Sequence, residues 1–178
     1  MLRFISSLAI LTTLVSCQTS APHNAKPVTG FEVDRYLGTW YEIARLDHRF
    51  ERGLTHITAE YTKNDDGTIA VKNRGYKAAD STWSEATGKA KFAGDTNVGQ
   101  LKVSFFGPFY GGYNIIELAQ DYSHALVAGP DTSYLWILAR KPKLDPAVQQ
   151  KLIDKAKSLG FNTESLIYVD HTSPTPES

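Results

Sequence analysis

Few side chains in this 178-residue chain have the chemistry to react, ligate or carry a modification. Cys17 is the only cysteine. A lone thiol is a nucleophile, a modification site or half of a disulfide, and the chain holds no second cysteine to pair with it. The five histidines (His23, His48, His56, His124 and His171) are scattered and lack metal-ligand spacing. His48 and His56 could approach each other across a loop, but two imidazoles without a neighbouring carboxylate make a weak metal site. The sequence contains no Gly-x-Ser-x-Gly elbow, no His-Glu-x-x-His pair and no phosphate-cradling glycine loop. The residue types therefore predict a binding protein rather than an enzyme, with no metal and no cofactor.

Composition points the same way. Nineteen basic residues balance nineteen acidic ones, so no global field favours nucleic acid or an anionic surface. Hydrophobic content of 42% and charged content of 21% suit one globular domain with a sizeable core. The start of the chain differs from the rest. Met1–Ser16 carries Arg3 and then a mostly apolar run from Phe4 to Val15, too short to span a bilayer comfortably, and reads as a secretory signal. Leu14-Val15-Ser16-Cys17 resembles a lipobox, the cleavage and acylation site of bacterial lipoproteins. That resemblance implies acyl chains on Cys17; Gln18 in place of aspartate after it implies the outer membrane. Residues 17–29, polar and with Pro22 and Pro27, read as a lipidated N-terminus and tether.

From residue 30 the hydrophobic period is two. Strands are predicted at Trp40–Arg45, Thr55–Thr62, Ile69–Tyr76, Trp83–Phe92, Leu101–Phe105, Tyr113–Leu118, Ala125–Ala128 and Tyr134–Arg140. Turn residues such as Asn64-Asp65-Asp66-Gly67 and Gly129-Pro130-Asp131 separate them. The period then changes to helical. Asp145 is a good N-cap, Pro146 suits the first turn, Val148, Leu152, Ala156 and Leu159 share a face, and Gly160 stops the helix. Leu166–Val169 reads as a short ninth strand, and 171–178 as a disordered tail. Eight successive antiparallel strands with one flanking helix predict an all-β, up-and-down barrel over residues 30–170, with a sandwich as the alternative; eight strands can enclose one small ligand.

In such a meander, Trp40, Asp121-Tyr122 and Arg140 fall at one rim, where Arg140 can lie over the Trp40 indole. The run Tyr36-Leu37-Gly38-Thr39-Trp40-Tyr41-Glu42-Ile43-Ala44-Arg45, with Asp121-Tyr122 and Arg140, resembles the signature of the lipocalins, and its continuation to Gly53 that of the bacterial outer-membrane members. Gln120 stands where many of them carry threonine. The resemblance implies that Gly38, Trp40, Asp121, Tyr122 and Arg140 are structural residues of a closed base. It also implies a fatty acid or lysophospholipid held in the barrel, for storage or transport in membrane maintenance, by a protein lipid-anchored in the outer membrane and facing the periplasm. A cavity thiol, used by an enzymatic member of the family, is ruled out if Cys17 is the anchor.

Alternation places Trp136, Leu138 and Arg140 on one face, expected to line the cavity with Val103, Phe105 and Tyr113; small Ala86 and Gly88 leave it space. For Tyr113 the alternative register, with Asn114 and Ile116 inward, is equally consistent. The opposite rim gathers a charged Asp47–Arg52 loop, which meets a polar head group or stays solvated, and an aromatic hairpin at 106–112, which packs against neighbouring loops or meets membrane, ligand or a second subunit. Two competing readings remain open: a periplasmic enzyme for a lipophilic substrate on the same scaffold, and a membrane-spanning barrel. Lys89, Lys91 and Lys102 on outward faces oppose the second, because lysine at mid-bilayer depth costs roughly 2–4 kcal/mol.

Overall fold

Strand pairing closes completely in the computed structural model of the protein, which describes residues 19–22 and 24–173. The strands are β1 Gly38–Arg45, β2 Leu54–Lys63, β3 Ile69–Lys77, β4 Thr82–Phe92, β5 Gln100–Phe106, β6 Phe109–Leu118, β7 His124–Ala128 and β8 Leu135–Ala139. Each pairs antiparallel with the next; β8 pairs with β1, and β1 with β2, so the sheet has no open seam in its order. This is the eight-stranded barrel expected from the period-two segments. A ninth strand, β9 Ile167–Tyr168, adds to the upper part of β1 opposite Ala44 and Arg45.

Two apolar cores follow from strand alternation. Inside the barrel, Trp40, Val71, Leu101, Ile115 and Val127 fill the lower half. Outside it, Ile43, Leu126, Leu135 and Ile137 meet Leu152 and Ala156 of helix α2, Pro146–Ser158. β7 is buried on both faces, which is why Ala125–Ala128 is an unbroken apolar run. The Asp145 carboxylate accepts from the amides of Ala147 (2.9 Å) and Val148 (3.2 Å), the N-cap that the sequence predicts.

A short helix that period counting does not reveal closes the base: α1, Val33–Tyr36. Tyr36 is buried there, and its carbonyl accepts from Trp40 Nε1 at 2.8 Å. Gly38, at φ +89°, turns the chain from α1 into β1 in a backbone conformation that favours glycine. Arg140 donates to the carbonyls of Thr39 (2.9 Å), Arg35 (2.8 Å) and Tyr122 (3.3 Å). Tyr122 in turn accepts from the Glu32 amide and lies under the Arg35 guanidinium, 4.1 Å from ring centroid to carbon. Asp121 caps the turn through the Ser123 amide at 3.0 Å. The signature residues thus tie helix, first strand and last strand into one plug.

Cys17 and residues 1–16 lie outside the described residues. The described part of the segment expected as a tether is docked instead. Val28 exchanges backbone hydrogen bonds with Ile115 and Gly99, Ala25 joins the outer core, and the Thr19 carbonyl lies close against Gly112. A polar run with isolated apolar residues gave no hint of this, because its order comes from contacts with β6 and the loop before β5. At the other end, where a disordered tail is expected from 171, His171 Nε2 donates to the Glu42 carbonyl at 2.7 Å, and Asp170 caps Thr172 and Ser173. Among the described residues, barrel, helix and both cores lie within 19–173.

Candidate functional site

One bulge decides what faces the barrel interior. Along β1, Glu42 pairs with Leu138 but Ala44 pairs with Ile137, so two residues of β1 advance against one of β8. Such a bulge inverts the alternation beyond it. Trp40 and Glu42 point inward, Ile43 and Ala44 join the outer core, and Arg45 turns inward opposite Trp136. Arg45 is only 2% exposed. Its Nη1 meets Glu42 Oε1 at 3.1 Å, its Nη2 donates to the Glu51 carbonyl at 2.8 Å, and its Nε lies 3.8 Å from Glu51 Oε2. Trp136 Nε1 donates to the same Glu51 oxygen at 3.2 Å.

Above the plug is a cavity of about 300 Å³, within the usual size of small-molecule sites. Val103, Phe105, Leu138 and Trp136 form apolar walls, and Glu42 and Glu51 supply carboxylates on one side. The floor is a hydrogen-bonded set of three phenols: Tyr113 Oη lies 2.7 Å from Tyr36 Oη and 2.8 Å from Tyr61 Oη. Burial raises the pKa of all three, so they stay neutral.

A second chamber of about 450 Å³ continues the first, sharing Phe50, Ile57, Asn73 and Phe105 with it. It exists because β4 outruns β5: of the eleven residues of β4, only Lys89–Phe92 pair with β5. Ala86 and Ser84 of the unpaired stretch line this chamber together with Phe106 and Phe109. Those two rings are 84% and 73% exposed, and Phe50 is 65% exposed, so the rim is apolar.

The carboxylates are perturbed. Burial first, then the Glu51 charge, pushes the Glu42 carboxyl well above its ordinary range, against the opposing pull of Arg45. Burial likewise raises Glu51. His48 is stacked between Phe50 and Tyr134, with centroids at 5.4 and 4.9 Å, and touches Trp136 at 4.6 Å. Burial, assisted by Arg45, lowers its pKa to about 4.

The profile of the lipocalin-like domain matches residues 31–171. The chain belongs to the lipocalin family. It is 50% identical over 163 residues to the outer membrane lipoprotein Blc of Vibrio cholerae, covering 91% of this chain and 95% of that one. It is 46% identical over 170 residues to the Blc of Escherichia coli K12 (95% and 96% covered), and 33% identical over 159 residues to temperature-induced lipocalin-1 of Arabidopsis thaliana (85% of each). Among solved structures, insecticyanin from Manduca sexta superposes with a TM-score of 0.69 at 21% identity, over 86% of this chain and 87% of that one; this likeness concerns the fold.

Within this lipocalin, Trp136, Tyr113, Phe105 and Val103 face the first cavity and Ala86 the second. The register with Tyr113 inward is the one adopted; Asn114 instead lies buried behind the wall, donating to the carbonyls of Ala128 and Gly129. Gly88 does not line either chamber. A Cβ there would stand 2.7 Å from the Ser104 carbonyl and 2.8 Å from the Phe105 ring, so the glycine lets β5 and Phe105 pack close.

Sequence reasoning missed Glu42, Arg45 and Glu51. Strict alternation from Trp40 turns Arg45 outward, and a bulge has no reliable sequence mark. The Asp47–Arg52 loop is also only half solvated: Asp47 and Arg52 pair at the surface, whereas His48 and Glu51 are buried. His48 and His56 join separate clusters, His56 with Tyr76, Trp83 and His171. Among the described residues, no three His, Cys, Asp or Glu side chains gather as a metal site.

Proposed function

We propose that this lipocalin holds one fatty acid or lysophospholipid, acyl chain inward, and stores or carries it for membrane maintenance. Its family, and its relatives named outer membrane lipoproteins, make it an outer-membrane lipoprotein that binds a lipophilic ligand. The observation that carries the finer reading is the apolar chamber between the tyrosine floor and the Phe50–Phe106–Phe109 rim. Burying a sixteen-carbon chain gains about 12 kcal/mol at about 0.8 kcal/mol per methylene. Association and ordering remove much of that, which leaves micromolar or tighter binding. Acylation of Cys17 supplies the anchor, several chains giving attachment that one does not.

The test is a titration of tryptophan fluorescence with lysophosphatidylethanolamine and with palmitate. Of the three tryptophans, Trp136 lies in the wall, Trp40 is fully buried in the plug and Trp83 lines neither chamber, so saturable one-to-one quenching should vanish in Trp136→Phe. Quenching that persists in that variant, or never saturates, contradicts the reading. The exposed Phe106 and Phe109 rings favour a second arrangement for the rim, a homodimer formed mouth to mouth. A monomer mass that does not change with concentration excludes it. Incubated ligand should be recovered unchanged; turnover would favour an enzyme instead.

A further inference from the structure

The described N-terminal segment climbs the outside of the barrel to its mouth. Val28 is tied to Ile115 and Gly99 in the lower half. Running back from there, Ala25 and Ala21 pack on the outer core, and Thr19 reaches Gly112 of β6. A Cβ on Gly112 would stand 2.6 Å from the Thr19 carbonyl oxygen, so the segment lies on the strand because that residue has no side chain. Gly112 is at rim height: Asn114, two residues below it, is level with Ala128, where β7 ends. Phe109 is three residues further up β6, about 10 Å at about 3.3 Å per residue. Two peptide units separate Cys17 from Thr19, a reach of at most about 7.6 Å at about 3.8 Å each.

The two ends of the barrel differ in surface chemistry. Of the five exposed large apolar side chains among the described residues, Phe50, Phe106 and Phe109 sit at the mouth; Ile167 and Tyr168 form β9. The base presents charge instead, with Lys63 paired to Asp34 and Lys89 to Asp66.

We infer that the mouth faces the leaflet that holds the protein's own lipid anchor, with Phe106 and Phe109 seated at the boundary between head groups and acyl chains. The inference rests on acylation of Cys17, because the short reach to Thr19 is what sets the rim against the bilayer. A long free tether would leave the barrel without a preferred orientation. An anchor clipped beside β6 brings the apolar end to the lipid, and interfacial binding strengthens with the apolar area buried. The second chamber opens between the same rings, so an acyl chain passes between leaflet and cavity without crossing water. A second copy of the protein is the competing occupant of the rim.

The experiment uses the acylated full chain in vesicles of phosphatidylethanolamine and phosphatidylglycerol. Acylation consumes the Cys17 sulfur, so a nitroxide on an introduced cysteine labels a single site. Phe109→Cys and, separately, Phe106→Cys report the mouth; Asp65→Cys, in the turn after β2, reports the base. Relaxation of each label by oxygen and by a water-soluble nickel chelate gives its depth. Both rim labels should lie about 5–10 Å inside the head-group boundary. The Asp65 label should stay as open to the chelate as a free label in water. Rim labels equally open to the chelate overturn the inference, as does an immersed Asp65 label. Rim labels shielded from both relaxants and broadened by a second nitroxide place another copy on the mouth and overturn it too. A mass that shows no acyl group on Cys17 overturns the anchor and the inference together, whereas water-exposed rim labels on an acylated chain overturn the orientation alone. Should one rim variant misfold, as circular dichroism would reveal, the other decides.

Discussion

The guanidinium carbon of Arg140 lies 4.0 Å from the centroid of the Trp40 ring, joining the end of the last barrel strand to the first. The same guanidinium donates to three backbone carbonyls, so it acts as a clamp on α1, β1 and the turn before β7. Charged hydrogen bonds are worth about 1.5–3 kcal/mol each and the cation–π contact about 0.5–2, discounted here because Arg140 is partly exposed. Arg140→Ala should therefore lower unfolding stability by about 2–4 kcal/mol in urea titrations. Arg140→Lys should recover about half of that, since an ammonium keeps the charge but not the planar fork.

Gly88 marks where β4 stops pairing with β5. A methyl group there collides with the Ser104 carbonyl and the Phe105 ring. Gly88→Ala should cost about 1–3 kcal/mol, the usual range for overpacking. It should also weaken amphiphile binding, because Phe105 can yield only by moving into the chamber that it walls. Urea unfolding and the fluorescence titration measure the two effects separately.

His48 gives the protein an acid-sensitive component. Its folded pKa of about 4 lies below its ordinary value of 6.5. The unfolded chain thus takes up the proton first, and the stability that neutral His48 confers is complete above about pH 6.5 and lost as pH falls towards 4. At about 1.4 kcal/mol per unit, the loss approaches 3 kcal/mol. Glu42 and Glu51 act in the opposite sense: their raised values mean that their contribution is greatest below the unfolded carboxyl pKa of 4.5 and declines as pH rises through the folded values. His48→Phe keeps the ring stack and removes only the first trend. Its stability difference between pH 7 and pH 4 should be smaller than that of the wild type by up to about 3 kcal/mol, measured by chemical unfolding at each pH.

Cys17→Ser should abolish acylation and move the protein from the membrane to the soluble periplasmic fraction. Mass spectrometry of the purified full chain reads the first, and cell fractionation the second. Retention in the membrane by Cys17→Ser would show that something other than the acyl chains holds it there.

Much of the fold is legible from sequence because it rests on local patterns. Alternation in Leu101–Phe105, the Asn64–Gly67 turn and the Asp145-Pro146 helix start are each written in a few adjacent residues. The Trp40–Arg140 contact is legible too, since the parity of an eight-strand meander brings the two ends to one rim. The apolar wall at Val103, Phe105 and Trp136 follows from the same alternation. What escapes is set by long-range events. The Glu42/Ala44 bulge turns Arg45 inward, and the early end of β4–β5 pairing opens the second chamber at Ala86 while Phe105 fills the space beside Gly88. The docking of residues 19–22 and 24–29 depends on β6 and the neighbouring loop rather than on their own composition.

The central claim is that the barrel holds one acyl chain. Native mass spectrometry of the chain from Gln18, mixed with lysophosphatidylethanolamine, palmitate and haem, tests it most directly. The account predicts a one-to-one complex with a single-chain lipid, competed by its analogues and releasing the lipid unchanged. An apo mass across the whole panel, or retention of haem alone, would contradict it.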